Sequence, residues 1–78
     1  ENHMMLYPNP VDQNTFNVKL SNSDKTVVNM FNMVGETVYS RVTTQNDFDI
    51  NVSDLNKGIY ILRVTQQNDS FTRKLILK

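Results

Sequence analysis

The 78-residue chain carries eight basic and eight acidic side chains, for a formal net charge of zero, and has no cysteine. Neutrality removes the positive surface that phosphate-backbone binding or adsorption to an anionic membrane needs, so no nucleic-acid partner is expected. Without cysteine there are no disulfides, thiolate nucleophiles or cysteine-ligated zinc, and so short a chain has room for one small core but little for a deep catalytic cleft.

No stretch approaches the roughly 20 apolar residues of a membrane helix, and the first residues lack the basic-then-apolar pattern of a secretory signal. The start at Glu1 reads as the continuation of a longer protein, with residues 1–6 as linker or as residues left from expression. Residues 7–78 then form one domain.

Tyr7-Pro8-Asn9-Pro10 opens that domain; prolines cannot donate ladder hydrogen bonds, which places this stretch at an edge or just before the first strand. In "FNVKL", Phe16, Val18 and Leu20 alternate with Asn17 and Lys19, the period of a strand wet on one face. "VVNMF" puts Val28 and Met30 on one face, and "ETVYSRV" returns after Asn32-Met33-Val34-Gly35, where Gly35 supplies the positive φ of a hairpin turn. "FDINV" alternates through Phe48, Ile50 and Val52, and Ser53 to Gly58 supply a turn. In "GIYILRV", Tyr60, Leu62 and Val64 share one face and Ile59 and Ile61 the other, which predicts a central strand covered on both sides. Gln66 to Ser70 read as a polar connection turning at Asn68-Asp69, and "FTRKLILK" as a last strand running almost to Lys78. Six to seven short strands with regular turn signals and no helical period predict an all-β fold, a small antiparallel sandwich.

Catalytic arrangements find little material. His3 is the only histidine and precedes the folded body, so neither a Ser-His-Asp arrangement nor a multi-histidine metal site can be assembled. Asp47, Asp49 and Asp54 offer oxygen ligands but lack the dense Asp/Asn/Gly loop of a calcium site, and read as turn and strand-face solvation. No metal, cofactor or catalytic residue is expected. The triplets Asn51-Val52-Ser53 and Asn68-Asp69-Ser70 fit the glycosylation pattern and carry little weight here. There is no tryptophan, and Tyr39 and Tyr60 fall within strand patterns that bury them, so a flat aromatic face for glycan binding is not evident.

Four stretches, "YPNPV", "VVNMFNMVGETV", "DLNKGIYILRV" and "RKLILK", resemble in order and spacing the C-terminal sorting domain of the type IX (Por) secretion system of Gram-negative bacteria. The resemblance spans residues 7–78 and implies a small immunoglobulin-like sandwich fused to the end of a larger exported cargo. Pro8, Asn9 and Pro10 match the family's opening motif, Gly35 its hairpin glycine, and Leu55, Gly58 and Tyr60 its late turn and strand. Lys74, Leu75, Ile76, Leu77 and Lys78 match its terminal strand. The partners it implies are the outer-membrane secretion machinery and a sortase-like cysteine protease that removes the domain near or upstream of its start. The cargo would pass through the periplasm and end at the cell surface or in the medium. Three positions depart from the commoner pattern: Asn32 stands where aspartate is frequent, Glu36 where a basic residue is, and Asn56 where proline is.

At a sheet edge the terminal strand would leave backbone groups free for a receptor strand, with Lys74 and Lys78 blunting unwanted pairing in the free protein. The same residues also read plainly as core, at Leu75 and Leu77, and solubilising surface. Gly35, Gly58 and Tyr60 read as turn geometry and packing. An unpaired edge also permits an edge-strand dimer, which neutral charge does little to oppose. The alternative function is an accessory sandwich that binds glycan or spaces an enzyme from the cell surface.

Overall fold

Period-two alternation organises most of the strands. The computed structural model describes residues 3–78. Within them run seven strands and no helix: β1 (Met4–Tyr7), β2 (Thr15–Leu20), β3 (Thr26–Phe31), β4 (Thr37–Thr43), β5 (Asp47–Asn51), β6 (Gly58–Gln66) and β7 (Asp69–Leu77). They form two antiparallel sheets, ordered β1-β2-β5 and β4-β3-β6-β7. The chain changes sheet between β2 and β3, between β4 and β5 and again between β5 and β6, the crossing pattern of an immunoglobulin-like sandwich.

The core lies between the sheets. From the three-stranded side it takes Met4, Phe16, Val18, Leu20, Phe48 and Ile50; from the four-stranded side, Val28, Met30, Tyr60, Leu62, Val64 and Leu75. Arg41, on the inner side of β4 opposite Val28, closes one flank. Its guanidinium lies 4.9 Å from the Phe48 ring centroid and donates to the Asp49 carbonyl (3.2 Å), tying the edge of one sheet to the edge of the other.

Three sequence expectations are corrected. The first strand begins inside the six residues read as linker: Met4 pairs with Leu20 and is buried, while Glu1 and Asn2 lie outside the described residues. β6 is central in its sheet but is covered on one face only, with Ile59 42 % exposed on the other. Two sheets provide a single interlayer, so the second apolar row of β6 has nothing to pack on.

The third correction concerns the polar connection. β6 runs through Gln66 and β7 begins at Asp69, so the turn is Gln67-Asn68, with Gln67 at φ 46°. Gln66 is buried because its Nε2 donates to Thr26 Oγ1 and to Asn22 Oδ1, both at 3.0 Å.

One-sided burial of β6 is open to measurement. Leu62→Ala should lower unfolding free energy by about 2–5 kcal/mol, whereas Ile59→Ala, three residues away on the open face, should cost about 1 kcal/mol or less. Urea unfolding of the two variants compares them directly.

Candidate functional site

The outer edge of β7 meets the opening motif. β7 is the last strand of its sheet, as a recognition strand would be, but its terminal stretch is not bare. Val11 makes a parallel bridge to Leu77: its N–H donates to the Ile76 carbonyl (2.8 Å), and the Lys78 N–H donates to the Val11 carbonyl (2.8 Å). Asn9 Nδ2 adds a longer bond to the Lys74 carbonyl (3.4 Å). Pro8 and Pro10, each behind a cis peptide bond, flank Asn9 in this clasp, and the Val11 side chain is buried. The family's first and last signatures are thus one structural feature.

Alternation divides the terminal strand in two. Leu75 and Leu77 are core side chains and offer nothing to a partner. Lys74, Ile76 and Lys78 point outward and are exposed. The register puts Lys74 opposite Ile61 and Ile76 opposite Ile59. Backbone pairing by an incoming strand along residues 74–78 would have to displace Val11, because Ile76 and Lys78 already spend their outward groups on it. Farther back, Ser70 and Thr72 have no strand beyond them.

The late turn is a tyrosine corner. The Tyr60 hydroxyl, near the start of β6, donates to the Asn56 carbonyl four residues upstream (2.7 Å). Leu55 packs partly buried on the core and its N–H donates to the Val52 carbonyl (3.0 Å). Gly58, at φ 151°, takes a conformation that L residues rarely adopt. Leu55, Gly58 and Tyr60 therefore act together as a corner, a combination that neither apolar periodicity nor turn composition reveals.

The Asn32 side chain reinforces the backbone hydrogen bonds of the β3–β4 hairpin. Asn32 Oδ1 accepts from the N–H groups of Val34 (3.1 Å) and Glu36 (2.9 Å), and Asn32 Nδ2 donates to Glu36 Oε1 (2.8 Å). Gly35 closes the turn at φ 89° with no atom within 4 Å of where a Cβ would stand, so only conformation selects glycine there. Asn32 and Glu36, two of the three departures from the commoner pattern, compensate each other. Where an aspartate would face a basic residue, an amide here faces a carboxylate.

The remaining polar candidates are dispersed. Asn17 Nδ2 bridges Asp47 (2.7 Å) and Asp49 (3.0 Å) on the outer face of the three-stranded sheet, with Lys19 paired opposite Asp47. Asp54 lies in the turn after β5. His3 donates its backbone N–H to Ser21 Oγ (3.0 Å). Among the described residues no three His, Asp or Glu side chains are placed to hold a metal ion. Tyr39 is half-buried and Tyr60 buried, leaving Tyr7 as the exposed tyrosine of the described residues.

A small sandwich whose motifs lock its two ends, a corner and a hairpin defines a folded interaction module. Residues 5–78 match the family of secretion system C-terminal sorting domains, and the chain belongs to that family, the sorting tails of type IX secretion. Its role is that of a secretion signal, and cargo of this system reaches the cell surface or extracellular space. The chain is also 34 % identical over 74 residues to an ulvan lyase, NLR42, of Nonlabens ulvanivorans. That match covers 92 % of this chain and only 14 % of the relative's length.

The Asn32–Glu36 compensation is testable in a cycle. Asn32→Asp should cost about 1 kcal/mol by replacing a donor with a second carboxylate, and adding Glu36→Lys should restore most of it. Thermal or urea unfolding of the two single variants and the double variant measures the coupling.

Proposed function

We propose that this chain is a folded address carried behind an N-terminal cargo: it accompanies that cargo through the periplasm, is recognised at the outer-membrane translocon, and is cut off upstream of β1 by a sortase-like protease. It performs no reaction of its own. The observation that carries this reading is the division of the terminal strand, in which Leu75 and Leu77 anchor the core while Lys74, Ile76 and Lys78 face outward. A receptor can then read side chains on a strand fixed in place, with no unfolding of the signal.

The clasp at Val11 favours side-chain reading over strand addition at residues 74–78, since the backbone groups there are occupied. It also disfavours an edge-strand dimer through that stretch. Against an accessory glycan-binding role, the structure supplies a single exposed tyrosine, Tyr7, beside Met5 on the three-stranded sheet and no flat aromatic platform among the described residues.

The test joins residues 1–78 to the C-terminus of a periplasm-targeted fluorescent reporter in strains with and without a working type IX translocon. Reporter at the surface or in the medium only in the competent strain is the expected outcome. Retention in the periplasm of both strains, with the domain shown to be folded, would sink the reading.

A further inference from the structure

We propose that the outer face of the four-stranded sheet, centred on Phe31, Ile59, Ile61 and Ile76, is the surface by which the domain docks on an acidic, apolar-centred site of its export receptor. This rests on the sorting role proposed above and assigns that role a face and a partner chemistry.

The strand register assembles the patch. One cross-strand row reads Phe31, Ile61, Lys74, and the next places Ile59 against Ile76. Rows on one face of a sheet are about 7 Å apart, so the four apolar side chains are contiguous. Ile59 and Ile76 are 42 % and 36 % exposed, Phe31 and Ile61 are half-buried, and this face of the sheet is turned away from the interlayer core. Cross-strand pairing of such residues stabilises a sheet only modestly, and large apolar residues gathered on a wet face mark an interaction surface. Three of the four stretches that carry the family resemblance each place residues here: Phe31 from the middle stretch, Ile59 and Ile61 from the late one, Ile76 from the terminal one.

Charge selects the occupant. Arg63 lies on the same face with its guanidinium 5.7 Å from the Phe31 ring centroid, and Lys74 stands beside Ile61. No outward position of β3, β6 or β7 between residues 27 and 76 holds an Asp or Glu on this face. The opposite outer face carries Asp47 and Asp49 against the one cation Lys19, so the two outer faces differ in the sign of their charge. A partner that covers Phe31 and the three isoleucines must accommodate two cations at their margin, which carboxylates do. A symmetric pairing of two copies through this face would bring Arg63 and Lys74 onto strands with no outward Asp or Glu to meet them, so charge disfavours a second copy.

The test uses the same reporter fused to residues 1–78, in the competent strain, with three alterations. Ile59→Thr with Ile76→Thr removes apolar surface while keeping β-branched side chains, and Arg63→Glu with Lys74→Glu reverses the charge without touching the core. Met5→Thr, on the exposed outer side of β1, is the control. Each variant's urea midpoint is measured on the isolated chain. Both face variants, folded, should be exported about tenfold more slowly and accumulate in the periplasm, with the control at the wild-type rate. Wild-type export of both folded face variants would overturn the assignment of this face while leaving the sorting role intact, whereas failure of the unaltered fusion would strike the sorting role itself. If the isoleucine pair does not fold, the charge reversal decides alone. A wild-type chain that sediments as a dimer while both face variants are monomers would give the face to a second copy and also overturn the proposal. Binding of the wild-type chain, and neither variant, to phosphatidylglycerol vesicles would give it to a lipid surface with the same consequence.

Discussion

Two backbone hydrogen bonds between Val11 and the terminal strand hold the ends of the chain together, and much of the structure follows from them. An edge strand leaves a row of donors and acceptors unpaired, which invites adventitious pairing. Here the stretch after β1 folds back and occupies those groups where β7 ends, while the Val11 side chain enters the core beside Leu77. Asn9 between its prolines belongs to the clasp, and Lys74 to Lys78 form its other half. Loss of either end would expose the partner end and open the interlayer together, because the same residues seal both.

With its ends fixed, the sandwich presents two unlike outer faces. The smaller sheet shows Asn17 bonded to two aspartates, with exposed Met5 and Tyr7 on the strand alongside. The larger shows Phe31, three isoleucines, Arg63 and Lys74. Net charge is zero because eight basic and eight acidic side chains cancel over the whole chain, and cancellation in a sum does not abolish a local field. The exclusion of nucleic acid drawn from composition therefore leaves ample room for a charge-guided protein contact.

Most of the strands were legible because alternation is a local property of the sequence. β2, β3, β5, β6 and β7 follow their apolar periods, and the hairpin follows from Asn32 and Gly35. What escaped was determined by partners distant in sequence. Met4–Tyr7 shows no convincing alternation, and its status as a strand rests on pairing with Asn17 to Leu20. The Val11 bridge joins residues 66 apart in the sequence and leaves no periodic trace. Gln66 reads as loop until Thr26 and Asn22 are found beside it. The two apolar rows of β6 are visible in the sequence, but a sequence does not say how many sheets are available to cover them.

The tyrosine corner shows why a family signature need not be a contact. Tyr60 places its ring in the core and its hydroxyl on the Asn56 carbonyl, so the link from β5 to β6 is fixed at the point where the chain crosses between sheets. That crossing sets the register of β6, which in turn aligns Ile59 with Ile76 and Ile61 with Phe31 and Lys74. A one-residue slip would carry every outward side chain inward. Corner, clasp and hairpin therefore act on the proposed docking face at a distance, by deciding which side chains it presents. In a domain this small, whose stability margin is narrow, a receptor that reads that face reads the integrity of the fold along with its identity.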